Sequence, residues 1–111
     1  MEQFVKGDVV VVPFPFSDLS TVKRRPALAV AALGGDDVIL CQITSPQIRD
    51  RYAVGIADTD FVEGTLRKPS NIRPNRLFSA STDLILYRAG RLNKRAVTSV
   101  IDRIIEILQA E

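Results

Sequence analysis

The chain has no histidine, no tryptophan and a single cysteine among its 111 residues. Without histidine it lacks the side chain that most often acts as general base near neutrality and most often ligates transition metals. The lone Cys41 excludes a disulfide framework. With no histidine beside it, no zinc site can be assembled from soft ligands within the chain. Cys41 stands in an apolar run and reads as a small core residue, which fits a reducing, cytoplasmic setting. Asp36-Asp37 follow two glycines and read as turn polarity rather than as a carboxylate site for magnesium. No cofactor is expected, and any catalysis is expected to be metal-free. Five Phe and two Tyr leave few positions for stacking flat ligands. No apolar run approaches the ~20 residues of a membrane-spanning helix, so no membrane partner is expected. Residues 1–6 lack the basic-then-apolar layout of a secretory signal.

What is present is an ordinary globular composition, 46% hydrophobic and 25% charged, which argues against disorder. The length suits one domain, 1–111, with a modest core. A net charge of +2 is too weak to indicate nucleic-acid binding by itself. Its distribution says more. Cations gather at Lys23-Arg24-Arg25, Arg49/Arg51, Arg67-Lys68, Arg73/Arg76 and Arg88/Arg91, whereas carboxylates collect at 36–37, at 58–63 and in the C-terminal segment. Cations falling in loops favour a basic groove.

Residues 9–12 form a β-branched run that reads as a buried strand. Pro13 and Pro15 are expected to turn the chain out into a polar loop lasting until about Lys23. A second strand is expected over 26–33, a turn at Gly34-Gly35-Asp36-Asp37, and a third strand over 38–43. Thr44-Ser45-Pro46 opens a second polar loop that runs through Arg51. A fourth strand is expected over 52–57, a loop over 58–69, and a bent fifth strand from 70–74 and 77–80. A short helical turn is expected over 83–87. Asn93 then caps a helix over 94–108, with Val97, Val100, Ile101, Ile104 and Leu108 on one face. The fold class is mainly β with α: a small curled sheet or partly open barrel carrying a C-terminal helix.

The functional candidates converge on the two polar loops. One carries Phe16, Ser17, Asp18, Lys23, Arg24 and Arg25, the other Thr44, Ser45 and Gln47. Pairing across the 26–43 hairpin brings Arg25 beside Thr44 at its open end. A guanidinium fork held at a strand edge can grip two phosphate oxygens at once, and a neighbouring hydroxyl can bind a third. Phe16 could stack an unpaired base; Phe14 is expected to pack under the loop.

These are also the places where the chain resembles the PemK/MazF family of toxins from toxin–antitoxin pairs. Gly7-Asp8-Val9-Val10 is similar to the family's opening, Arg25-Pro26 to its step into the second strand, and Ile43-Thr44-Ser45 to its threonine-bearing strand end. Pro13-Phe14-Pro15-Phe16-Ser17-Asp18 and Ile72-Arg73-Pro74-Asn75-Arg76-Leu77-Phe78 resemble a PemK-like subgroup. The resemblance implies an SH3-like barrel that forms a homodimer, is neutralised by a cognate acidic antitoxin, and cleaves single-stranded RNA at short sequences without metal. It implies products with a cyclic phosphate and a free 5′-hydroxyl. By position it makes Arg25 the principal catalytic residue and Thr44 its phosphate-binding partner, with Ser17 helping to hold substrate.

A guanidinium is a good stabiliser of a phosphorane but a poor base, so Asp18 is a candidate to take the 2′-hydroxyl proton. Asn75-Arg76-Leu77-Phe78-Ser79-Ala80-Ser81 departs from the polar run of better-known members. Two other classes share the architecture: a non-enzymatic CcdB-type toxin that binds DNA gyrase, and an inert nucleic-acid-binding barrel. Retention of both Arg25 and Thr44 favours the nuclease.

Overall fold

Seven strands pair in one antiparallel sheet in the computed structural model, which describes residues 3–15, 22–47 and 49–111. In chain order they are β1 (Asp8–Pro15), β2 (Val22–Ala32), β3 (Asp37–Thr44), β4 (Val54–Ile56), β5 (Phe61–Gly64), β6 (Ser70–Ser81) and β7 (Tyr87–Leu92). One helix, α1 (Lys94–Gln109), follows. Across the sheet the order is β4-β6-β3-β2-β1-β7-β5. Register shifts at Val9/Val10, Ala29/Ala31, Cys41/Ile43 and Phe61/Glu63 bend the strands and raise their twist, so the sheet curls. The expected class, mainly β in a curled half-barrel with a C-terminal helix, is what forms.

The first hairpin is longer than its sequence suggests. β1 continues to Pro15 and β2 begins at Val22, so Lys23, Arg24 and Arg25 lie within a strand rather than at the end of a loop. The direction in which the prolines face explains this. Val11 turns its carbonyl away from β2, accepting from the Leu86 N–H at 2.8 Å. Residues two apart on a strand face the same way, so the Pro13 and Pro15 nitrogens also point away from β2. They fall beyond the Val11–Tyr87 pair, where the ladder to β7 stops. Pro26 sits opposite Val11 and faces β3, one residue past the last β2–β3 pair, Ala27 with Gln42. None of the three occupies a place where a ladder needs an N–H.

Other expectations are corrected toward the C-terminal half. The 58–69 segment contains β5, which pairs with β7, and 83–87 holds a single 3-10 turn at Thr82–Leu84 before β7 begins. β4 covers only three of the six residues foreseen. β6 is one strand, bent where residues 73–76 bulge between the pairs Cys41–Leu77 and Ile43–Ile72. At the β5–β7 crossing Gly64 lies opposite Gly90, and a Cβ on either would overlap the other strand's backbone. Gly64 also has φ +64°, the left-handed region.

The helix is the one anticipated, except that Leu108, expected on its apolar face, is exposed near the helix end. Asn93 accepts the Ala96 N–H at 2.8 Å, satisfying one of the donors that a helix start leaves without a partner. Ala96, Val97 and Val100 then pack on Val9, Leu28, Cys41, Ile43, Ile56, Ile72 and Leu92, closing one face of the sheet. The other face holds a second cluster of Val10, Val12, Ala27, Ala29, Val38, Leu40 and Ala80, flanked by Phe4, Phe14, Phe78 and Ile85. Among the described residues no helix is long and apolar enough to cross a membrane.

Candidate active site

Strand alternation decides which cations look the same way. Arg25 lies opposite Val12 and Lys23 opposite Phe14, so both project on the face of the second cluster, away from α1. Arg24, between them, projects on the helix-covered face. Three consecutive cations therefore divide two to one, and the structure does not bring Arg24 together with Arg25.

Thr44 joins Arg25. Its neighbour Ile43 is fully buried under the helix, so half-buried Thr44, the last residue of β3, faces the other way. The β2–β3 register ends at Ala27–Gln42, and two more residues along each strand set Arg25 across from Thr44. On the far side Thr44 pairs with Asn71 of β6, and Asn71 pairs with Gly55 of β4. Arg25, Thr44 and Asn71 thus make a row crossing three strands, with Lys23 and Gln42 in adjoining rows. Asn71 and Gln42 were missed from sequence. Gln42 carried a signal, the two-residue period ending at Thr44; Asn71 carried none, because nothing local shows that β6 lies beside β3.

Ser45 and Gln47 follow Thr44 directly. Ser45 Oγ accepts the Gln47 N–H at 3.3 Å, which turns the chain out of the strand and leaves Gln47 exposed. Phe16, Ser17 and Asp18 lie outside the described residues. Phe14 packs edge-on against Phe78 with ring centroids 5.0 Å apart, the core role expected of it.

The cations are not all alike. Arg88 and Arg91 serve the fold: the fully buried Asp8 accepts from Arg91 Nε at 3.0 Å and from the Val5 N–H at 2.9 Å, and Arg88 reaches both Asp8 (3.5 Å) and Glu63 (3.1 Å). These contacts tie β1 to β7 and β5. The hydrogen bond from Asp8, and then its charge, raise the Arg91 pKa above its ordinary value.

Arg73 is engaged as well, with an acid not anticipated from sequence. Its Nε donates to Asp50 Oδ2 at 2.8 Å, and the two side chains are only 16% and 4% exposed. Asp50 Oδ1 accepts the Tyr52 N–H at 2.9 Å. Burial alone would raise the Asp50 pKa. The hydrogen bonds from Arg73, Tyr52 and Asn75 and the Arg73 charge together outweigh it, and the carboxyl is held below its ordinary value. Cys41 lies alongside, its S–H donating to the Arg73 carbonyl at 2.9 Å. Burial pushes its pKa up to about 12, so it is a core thiol and no nucleophile.

The larger of two described hollows, about 730 Å³, lies by the Gly35 turn, at the other end of the hairpin from Arg25 and Thr44. Asp36 and Asp37 line it and no cation among the described residues does, so it does not suit a polyanion. The open Arg25–Thr44 face is the better place for one.

A family model described as PemK-like, MazF-like toxin of type II toxin–antitoxin systems matches residues 5–108. The chain belongs to that toxin family. No curated protein matches it in sequence. Among solved structures it is similar to an endoribonuclease in complex with its cognate antitoxin from a mycobacterial species, at TM-score 0.75 and 12% identity over 98% of both chains. A MazE–MazF structure from Deinococcus radiodurans gives 0.73 and 14%, covering 100% of both. The Mycobacterium tuberculosis toxin MazF-mt6 gives 0.69 and 17%, covering 94% of this chain and 98% of that one. At such identities the likeness shows the fold, and the PemK/MazF toxin keeps its own chemistry to be argued from its residues.

Proposed function

We propose that this toxin is an endoribonuclease that cleaves single-stranded RNA, and that Arg25 and Thr44 handle the scissile phosphate. The observation that carries the reading is their register: two residues past the last β2–β3 pair, on one face, a guanidinium and a hydroxyl lie across from each other. The 2′-oxygen attacks the adjacent phosphorus as its proton departs, and the bond to the 5′-oxygen breaks as that oxygen takes up a proton from water. A 2′,3′-cyclic phosphate and a 5′-hydroxyl result. Arg25 stabilises the extra negative charge on the phosphorane oxygens, and the Thr44 hydroxyl donates to one of them. Asp18 is the candidate base and Phe16 and Ser17 the first-loop contacts. Lys23 meets a neighbouring phosphate on the face of Arg25, while Arg24 serves phosphates only from the other side of the strand. Ser45 and Gln47 meet the chain next to Thr44.

The nucleophile is the RNA's own hydroxyl, so the step needs no metal-activated water, in keeping with a chain without histidine. A homodimer would extend the cationic face, and an acidic antitoxin segment would neutralise the toxin by covering it.

The test is incubation of the purified protein with a long unstructured RNA in EDTA, with mass analysis of the new ends. Cyclic phosphate and 5′-hydroxyl ends are expected, and an all-DNA copy of a cleaved sequence should bind yet stay whole. Intact RNA after prolonged incubation, or cleavage only when magnesium is restored, would overturn the reading.

A further inference from the structure

β3 and β4 both run antiparallel to β6, so they are parallel to each other, and the connection 45–53 must cross over β6. The partner on which it closes identifies the face it crosses. Ile72 packs in the helix-side cluster, and Arg73, next to it where the bulge begins, turns to the opposite side, that of Asn71. Asp50 binds Arg73, and the crossover therefore passes over the face that carries Thr44. Both feet of the connection stand on the same part of β6: Ile43 and Val54 each pair with Ile72.

At the top of this clamped loop, exposed Arg51 lays its guanidinium over the Tyr52 ring, 4.8 Å from the centroid. Asp50 fixes the backbone of the two residues after Arg51, accepting the Tyr52 N–H on its carboxylate and the Ala53 N–H on its carbonyl at 3.0 Å.

We propose that Arg51 and Tyr52 form a subsite for one unpaired nucleobase of the bound strand, stacked on the outer plane of the Arg51 guanidinium with Tyr52 as its backing. This rests on the RNA-cleaving reading above. A guanidinium plane offers an unpaired base a flat, cationic surface, and its position beside the phosphate-binding row suits a strand whose backbone lies on Arg25 and Thr44. Loops that stack bases usually lose affinity to the ordering of their own side chains. Here the Asp50–Arg73 ion pair and the ring beneath the guanidinium have ordered them beforehand.

Wild-type protein first maps a cleaved RNA. The same oligonucleotide, made 2′-deoxy at the cut so that binding alone is read, is then rebuilt with one abasic position at a time. Stacking of one base predicts that a single abasic position weakens wild-type binding roughly tenfold. The same abasic site should cost Arg51→Ala almost nothing, because the surface it served is already gone. Tyr52→Phe keeps the ring and should retain the wild-type pattern; Arg51→Lys keeps the charge without the plane and should resemble Arg51→Ala. Equal abasic penalties in wild type and Arg51→Ala would overturn the subsite. A uniform loss at every position with a shallower salt dependence would also overturn it, since that marks a phosphate contact. Failure of the wild type to cut any RNA would remove the nuclease reading instead, and the subsite with it.

Discussion

Replacing Asp50 by Ala tests whether one buried ion pair holds the crossover in place. The change strands the Arg73 guanidinium, which is 16% exposed, and takes away the acceptor of the Tyr52 N–H. Removing one partner of a buried pair costs about 3–5 kcal/mol when the other cannot reach water. Arg73 can turn partly into solvent, which puts the expected cost at the lower end, about 3 kcal/mol. For a chain of 111 residues each kcal/mol moves the midpoint by about 4 °C, so thermal unfolding should begin roughly 12 °C earlier at pH 7. The pH dependence has a definite sign. The carboxyl is held below its ordinary value in the fold, so its contribution is complete above the unfolded pKa near ~3.9 and fades as pH falls toward the lower folded value. Paired melts of wild type and Asp50→Ala from pH 7 to pH 3 should therefore converge at the acid end. A variant that melts within about 2 °C of wild type at pH 7 would refute the reasoning. So would a gap that stays constant through the acid range, since the carboxylate's charge would then contribute nothing.

Arg25→Ala should abolish RNA cleavage, and Arg25→Lys should recover little of it because an ammonium lacks the two-pronged fork; a fully active Lys variant would show that a point charge suffices. Cleavage rate against pH, on an oligonucleotide with a single ribonucleotide, should lack the symmetrical bell near neutrality that two histidines produce, and such a bell would demand a titrating group other than those named. Cys41 should resist alkylation at pH 8 in the folded protein and react promptly in denaturant, because its thiol is buried with a pKa of about 12; quick labelling of the native state would contradict that burial. Asn93→Ala should lower stability by about 1 kcal/mol, read as a denaturant midpoint shift with unchanged slope, and no shift would mean that the cap is dispensable.

The parts of this molecule that were legible in its sequence are those built from near neighbours. The β2–β3 turn announces itself in Gly34-Gly35, and the helix in Asn93 and the spacing of Val97, Val100 and Ile104. Arg25 and Thr44 could be paired because one hairpin joins them. β5 escaped notice because its side chains are mostly exposed, and β7 because its buried positions, Gly90 and Leu92, are too few and one has no side chain to mark an alternation. The extension of β2 through the three cations depended on which way Pro13, Pro15 and Pro26 turn their nitrogens, a property of register rather than composition. Asp50 and Asn71 were invisible for a stronger reason: each matters only because β6 inserts between β3 and β4, and no stretch of sequence records who lies beside whom in a sheet.

That insertion also sets an order of assembly. The hairpin that places Arg25 across from Thr44 closes over a short stretch of chain, whereas the anchor for Asp50 arrives with β6, after all of β4 and β5. Contacts between distant parts of a chain form late because their loop-closure entropy must be met first. A growing chain that has not yet made residue 73 can hold Arg25 and Thr44 together, but the crossover beside them has nothing to fasten to. In this member of a toxin family, the crossover proposed to stack a substrate base is then among the last parts to be finished.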